Sequence, residues 1–427
     1  MLTLQTIALD TFNETLRSMK PEKRIMQSVS MRKGNLFVNQ QAIGKPKYGK
    51  IWVVGAGKAS ARMAAGLEAV IGKFIADGLI ISPKSVSASF NRIQVLPGKH
   101  PKPDSDTIAS TLELLDFCEQ IPREATVIFL MSGGASSLME LPAEGISIDE
   151  ISQTYDIILK SGASIHNMNL IRKHLSQVKG GKLLKKLTGR TVVNLLLSDV
   201  PGDDPRHIGS GPTNPENSSK SDARAVAESF NILTKFPPSV RDFFLNDEPV
   251  DETNLAEYHN FLLGTSLIFA QTAARSLEKS GFKTTVLEKS YDAPVEDVSK
   301  LIFSDIKKHK KGKLAFLYHG ESMVNVTGTG KGGRNQHLAL LLSKAIDGMD
   351  GVTILSAGTD GGDGPTDAAG AVVDGKTIQD ASKLGLDADE TIANFDAYHF
   401  FKSLNALIFT GPTGNNLMDF QLILINR

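Results

Sequence analysis

Short apolar runs alternate with longer stretches of helical period along the first half of the chain. The runs fall at 51–55, 78–82, 93–96, 125–132 and 192–198. Between them, apolar positions recur every three or four residues over 58–71, 107–117, 148–159 and 169–187. Apolar strands separated by helices predict a largely parallel sheet with helices on both faces. The strands end in Gly, Ser or Asp, at the edge where open α/β sheets hold ligands.

The stretch 214–223 is polar, and 236–260 carries Pro237, Pro238 and Pro249. This predicts a domain boundary near residue 250. A second α/β pattern follows. Strands are expected at 261–264, 283–287, 314–319, 324–326 and 352–357, with helices starting at Leu267, Val295 and Gln336. Segments 406–410 and 420–425 read as strands on either side of a glycine loop. The basic run 307–313 reads as a solvated helix end.

Composition narrows the function class. At 427 residues, with 41% hydrophobic and 22% charged, the chain is neither disordered nor a small disulfide scaffold. Lys plus Arg and Asp plus Glu are both 47, which argues against nucleic acid or an anionic membrane as the main partner. No apolar run approaches the roughly 18 residues of a membrane span. Asp10 and Glu14 in a helix-like N-terminal pattern do not fit a signal peptide. The single cysteine, Cys118, allows no intrachain disulfide or thiolate cage and points to a reducing, cytoplasmic setting.

Five loops of glycine and small residues close predicted strands. Glycine allows close backbone approach, so successive N–H groups can face an anion, and a following helix adds its positive end. The first loop is Gly55-Ala56-Gly57-Lys58. It lacks Walker A spacing and the third glycine of a dinucleotide fingerprint, so it is open to a phosphate cradle or a plain tight turn. The second, Ser132-Gly133-Gly134-Ala135-Ser136-Ser137, suits phosphate or carboxylate. No G-x-S-x-G elbow surrounds Ser136, which argues against acyl transfer. The third holds Asp199, Asp203 and Asp204. Asp199 is open to a divalent cation or a turn, and Asp204 reads as a cap.

The fourth loop runs from Gly328 through Gly330, Lys331, Gly332, Gly333 and Arg334 to Gln336. Four glycines with two cations suggest polyphosphate, which arginine can grip at two oxygens. Glu321, upstream, could bind metal or pair with these cations. The fifth places Asp360, Asp363 and Asp367 among glycines, for magnesium, substrate hydroxyls or turns. His166 and His174 read as structural, and no zinc motif is present. Several anion nests, a few cations and several carboxylates suit phosphoryl transfer, which needs positioning and charge neutralisation. Arg172 and Lys173, with Asn167 and Asn169 on one helical segment, suggest a small anionic acceptor.

The ordered motifs carry a resemblance. They are Gly55-Ala56-Gly57-Lys58, Gly98-Lys99-His100-Pro101, Ser132-Gly133-Gly134, Arg172-Lys173-His174-Leu175-Ser176 and Lys179-Gly180-Gly181-Lys182. Then come Ser198-Asp199-Val200, Gly209-Ser210-Gly211-Pro212-Thr213, Gly332-Gly333-Arg334-Asn335-Gln336, Gly364-Pro365-Thr366-Asp367 and Thr410-Gly411-Pro412-Thr413-Gly414. In this order they resemble the glycerate 2-kinase family, the class II, MOFRL-type glycerate kinases. The resemblance implies ATP-dependent phosphorylation of D-glycerate to 2-phosphoglycerate and ADP, with Mg2+. It implies two α/β domains, 1–250 and 251–427. The first is a Rossmann-like three-layer sandwich and the second a smaller MOFRL-like domain, with the active site in the cleft between them.

By the same resemblance, Lys58 and Arg334 are the catalytic cations. Gly55, Gly57, Ser132, Gly133, Gly134, Ser136, Asn167, Arg172, Gly330, Lys331 and Gly333 bind substrate or nucleotide. Asp199, Glu321, Asp360 and Asp363 are the metal candidates. D-glycerate and ATP are the expected partners, and a homodimer the expected assembly. Three positions depart from the family pattern: Ala135, His337 and Gly362. The runner-up reading is a nicotinamide-dependent hydroxypyruvate reductase, a name attached to some relatives. A sugar-acid or nucleotide binder without turnover is the third.

Overall fold

The computed structural model describes residues 3–86, 89–246, 256–309 and 311–427. The chain forms two compact units. The larger comprises Pro21–Ser198 and Asp203–Leu263, and the smaller Met1–Lys20, Asp199–Gly202 and Gly264–Arg427. The boundary expected near residue 250 falls within 247–255, outside the described residues. The first helix, Leu4–Ser18, is grouped with the smaller unit rather than with the residues that follow it.

The larger unit is built on six strands: Ile51–Ala56, Ile75–Pro83, Ile93–Gly98, Thr126–Met131, Thr191–Leu197 and Glu257–Gly264. Numbered within the sheet, their spatial order is 3-2-1-4-5-6. The first five run parallel, with Val54 beside both Leu79 and Phe129. This is the dinucleotide-fold order, and it reverses between the first and fourth strands. Strand Thr126–Met131 is buried along its whole length because helices cover both faces. Helix Ser60–Ile71 presses Met63, Ala64, Leu67 and Ile71 into a core with Val53, Ile80, Ile128, Leu130 and Val193. Helix Ser105–Gln120 is capped by Asp104, which accepts from the Thr107 amide at 3.0 Å.

Three outcomes differ from expectation in this unit. Segment 261–264 does not open the second pattern; it lies in strand Glu257–Gly264, the edge of the larger unit's sheet. The helical stretch 169–187 is two helices, Ile165–His174 and Lys182–Lys186, interrupted where Gly180 and Gly181 take positive φ. A small antiparallel sheet, Val29–Arg32, Asn35–Val38 and Gln41–Gly44, precedes the first main strand.

The smaller unit carries a mixed seven-stranded sheet. Its central strand is Asp419–Asn426, antiparallel to both Lys313–Met323 and Val352–Gly358. Strands Lys283–Val286 and Tyr291–Pro294 pair in parallel with Lys313–Met323. On the far side, Gly370–Asp374 and the two-residue Leu407–Ile408 continue the sheet antiparallel. The run 324–326 is not a strand, because Lys313–Met323 ends before it and the chain turns into the glycine loop. One face of the sheet is covered by helix Ser266–Lys279 and the first helix of the chain, through Phe12, Phe269 and Phe420. Phe12 stacks on Phe420 with centroids 6.1 Å apart, and Phe269 meets Phe420 edge-on at 5.0 Å. No helix among the described residues is long and apolar enough to cross a membrane.

Candidate active-site clusters

In the larger unit the first two glycine loops leave adjacent strands at the point where strand order reverses. They are laced together. The Lys58 amide donates to the Gly133 carbonyl (3.0 Å), the Ser132 amide to the Ala56 carbonyl (3.3 Å), and the Ala59 amide to Ser132 Oγ (2.9 Å). Gly57 has φ 139°, and a Cβ there would stand 2.2 Å from Ser132 Oγ, so glycine is required. Ser132 is buried and its hydroxyl anchors the start of helix Ser60–Ile71. Gly55 lies at the end of its strand, packed under Leu130.

The amides of Gly133 and Gly134 donate to no group among the described residues. Lys58 is exposed, and its stem runs beside Gly134 and His100. His100 is held below its ordinary value, first by burial and then by the Lys58 charge. The helix after the second loop is only Ala135–Leu138, and Ser136 there accepts from Ser210 Oγ at 3.1 Å.

Beyond this helix, the chain pairs with the end of helix Ile165–His174. The Ala143 amide donates to the Leu175 carbonyl (2.8 Å) and the Gln177 amide to the Leu141 carbonyl (2.8 Å). Asn167 lies in the first turn, its amide capped by Ser164 Oγ at 3.3 Å. The basic groups near the helix end have distinct fates. Lys173 pairs with Glu216, Lys179 with Glu140, and Lys182 reaches the carbonyls of Lys173, His174 and Ser176. Arg172 pairs with no carboxylate among the described residues; its guanidinium lies 4.2 Å over the Tyr155 ring.

In the smaller unit, Arg334 opens helix Arg334–Ala345. Its Nε and Nη2 take both oxygens of Asp419, at 2.7 and 3.1 Å, and its Nη1 meets Glu321. Asp419 is 2% exposed at the side chain and Glu321 38%. Burial pushes the Asp419 carboxyl up to about 6, against the pull of Arg334. Asn335 donates to Asp419 (2.9 Å) and accepts from Ser356 (2.9 Å) and Gln421 (3.2 Å). Gln421 in turn accepts from the Tyr291 hydroxyl (2.6 Å). A buried polar network thus fixes the floor under the guanidinium.

Asp363 does not face outward as a metal ligand. Its two oxygens accept from the Asn335 and Gln336 amides (3.0 and 2.8 Å), capping the arginine helix. Burial pushes its carboxyl up to about 7, although those amides favour the charge. Gly333 packs so closely that a Cβ would stand 2.2 Å from Asp363 Cγ. Asp360 turns back to the Gly362 amide (3.2 Å), Glu321 pairs with Arg334, and Asp199 is already engaged in a polar or electrostatic contact. No three His, Cys, Asp or Glu side chains among the described residues converge as a metal group. The four expected metal carboxylates are therefore not gathered into a cage. Asp204 does cap, accepting from the Arg206 amide at 2.9 Å while the guanidinium holds its carboxyl down to about 2.

The fourth loop is less open than its glycines suggest. The amides of Thr329, Gly330 and Lys331 donate to Asn394 and Asp396 (3.1, 2.9 and 2.8 Å). Lys331 Nζ lies 4.5 Å over the Tyr398 ring, whose hydroxyl donates to Asp367 (2.8 Å). The amides of Gly332, Gly333 and Arg334 make no hydrogen bond among the described residues, so free donors and the guanidinium meet at one helix start. Cys118 is buried, its thiol pushed up to about 12, which removes it as a nucleophile.

Sequence reasoning missed Asp419, Glu140, Tyr155 and the Asn335–Gln421 network. Asp419 and Gln421 lie more than 80 positions from Arg334 and Asn335, and Glu140 lies 39 from Lys179, so strand and helix pairing brings them together.

A sequence profile described as a domain of unknown function, DUF4147, matches residues 7–245, and one described as the MOFRL family matches 314–419. The chain is 36% identical to a D-glycerate 2-kinase of Thermotoga maritima, covering 99% of this chain and 98% of that one. It is 33% identical to a glycerate 2-kinase of Pyrococcus horikoshii, covering 99% and 97%. A crystal structure of glycerate kinase from Thermotoga maritima matches with a TM-score of 0.88 and 35% identity, over 99% of both chains.

Proposed function

The chain belongs to the glycerate 2-kinase family, and from that premise we propose that it transfers the γ-phosphoryl group of ATP to the 2-hydroxyl of D-glycerate. The acceptor oxygen bonds to the γ-phosphorus, the bond to the β-bridging oxygen breaks, and ADP leaves with that electron pair. The hydroxyl proton passes to solvent. The observation that carries this reading is the likeness to D-glycerate 2-kinase over 99% of the chain.

The residues take roles consistent with a reaction governed by positioning and charge. Lys58, with the free amides of Gly133 and Gly134, offers positive charge to a phosphate or carboxylate in the larger unit. Arg334, with the amides of Gly332 and Gly333, stabilises charge on the moving phosphoryl group in the smaller one. Asp419, buried and bidentate, keeps the guanidinium oriented. Glu321, the more exposed partner, is the one a phosphate oxygen displaces. Arg172 and Asn167 serve the acceptor, and Lys331 the nucleotide. Gly55, Gly57, Ser132 and Ser136 shape the loops.

Magnesium is part of the proposal as a companion of the ATP phosphates, a common mode for this ion. The described carboxylates do not form a cage for it, and no step is assigned to it. A cytoplasmic setting and a homodimer complete the reading. Sedimentation equilibrium checks the latter.

A reductase reading draws on the strand order, which dinucleotide enzymes share. The local chemistry speaks against it. Ser60 stands where the third fingerprint glycine belongs, its hydroxyl bonded to the Gly57 and Ile81 carbonyls (2.8 and 3.0 Å). The second strand ends in Ser82 and Pro83, followed by Lys84, with no carboxylate for a ribose. Lys84 is itself tied to Asp104 and Asp106. Incubation with ATP, magnesium and D-glycerate, followed by phosphorus NMR, should yield 2-phosphoglycerate. NADH oxidation by hydroxypyruvate without phosphoryl transfer would overturn the kinase reading.

A further inference from the structure

Arg172 sits at the edge of a buried polar cluster that the chemistry above does not use. Glu140 and Lys179 are fully buried and paired to one another. The Tyr155 hydroxyl donates to Glu140 Oε2 at 2.7 Å, and Lys179 Nζ reaches that hydroxyl at 3.3 Å. The Tyr155 ring carries Arg172 on one contact at 4.2 Å and Lys179 on another at 5.6 Å. Each member therefore restrains the next, from the Glu140–Lys179 pair through Tyr155 to the guanidinium.

Charge is not balanced within this group. Arg172 and Lys179 bring two positive charges against one carboxylate, Glu140. Arg172 Nε and Glu140 Oε1 are also sealed from solvent with no partner among the described residues. Burying an ion pair gains little stability over an apolar replacement, whereas the half-buried Arg172 guanidinium, left without a carboxylate of its own, suits an incoming anion. Glu140 follows the second glycine loop by six residues from Gly134, so the same short segment links the free Gly133 and Gly134 amides to Arg172.

We propose that Glu140, Lys179 and Tyr155 are positioning residues that hold Arg172 ready for the carboxylate of the acceptor. The inference rests on the reading of the acceptor as a small hydroxy acid. Tyr155 supplies a flat platform that fixes the guanidinium plane. Glu140 and Lys179 stop the ring from rotating away. The surplus positive charge selects an acidic acceptor over a neutral one.

Steady-state kinetics of Arg172→Ala, Tyr155→Leu and Tyr155→Phe test this, with KM measured separately for D-glycerate and ATP. Loss of a charge-assisted contact predicts at least a tenfold rise in D-glycerate KM for Arg172→Ala and Tyr155→Leu. The ATP KM should stay within about twofold. Tyr155→Phe keeps the platform and should recover most of the affinity. If Arg172→Ala raises KM but a folded Tyr155→Leu does not, the positioning role is wrong and the acceptor reading stands. If neither moves it, the acceptor reading of Arg172 itself falls. Should Tyr155→Leu not fold, the double variant Glu140→Gln with Lys179→Met removes both buried charges at near-constant volume. An unchanged D-glycerate KM there overturns the proposal.

Discussion

Arg334 lies between two carboxylates of unequal freedom, one buried and bidentate, the other half-exposed. In the proposed reaction, that asymmetry would keep the arginine oriented by Asp419 while the donor on Glu321 is exchanged for phosphate. Replacing Arg334 or Lys58 by alanine should lower kcat on the order of a thousandfold while far-ultraviolet circular dichroism stays native. Near-normal kcat in both variants would remove them from the chemistry. Both cations stand out in the sequence beside glycine loops, and their catalytic role is what the family resemblance implies. Asp419 does not stand out, because it lies 85 positions from Arg334 and reaches it only through strand pairing. His174 gives a pH signature. Burial lowers it from 6.5 to about 4, with its ring on Ser218 at 3.1 Å. A depressed histidine means that the unfolded chain binds the proton first, so stability is full above about 6.5 and is lost as pH falls toward 4. The contribution is on the order of 2–3 kcal/mol. His174→Gln should flatten the fall in Tm between pH 6.5 and 4; an identical slope would refute the assignment.

Helix Arg334–Ala345 shows how an element can depend on a residue outside its own stretch. Its first amides are capped by Asp363, which arrives from the loop after strand Val352–Gly358. The glycine at 333 lets that carboxylate approach. Gly333→Ala should therefore destabilise the fold by about 1–3 kcal/mol in urea unfolding and displace Arg334, lowering kcat as well. Unchanged unfolding and kcat would contradict this account of the contact. Apolar periodicity found the main strands and helices of the larger unit because they are long and fully covered. It failed over 169–187, where Gly180 and Gly181 interrupt a continuous apolar pattern. It also missed the four-residue strands between Val29 and Gly44, which are too short to show a period.

Across the whole molecule, the two units are discontinuous in sequence. The N-terminal helical pattern was readable, but amphipathicity does not say which core a helix joins. Phe12 answers that by packing on Phe269 and Phe420. Phe12→Ala should cost the smaller unit about 3–5 kcal/mol and lower its melting transition. An unaltered transition would show that the helix is dispensable to that core. The placement of strand Asp419–Asn426 in the middle of its sheet has a consequence for biosynthesis. A nascent chain can complete the parallel sheet once strand Glu257–Gly264 has left the ribosome. Phe12 of helix Leu4–Ser18 meets one partner, Phe269, with helix Ser266–Lys279, and the other, Phe420, only with a strand made about four hundred residues after its own helix. Premature termination before residue 419 should leave the second sheet split down its centre.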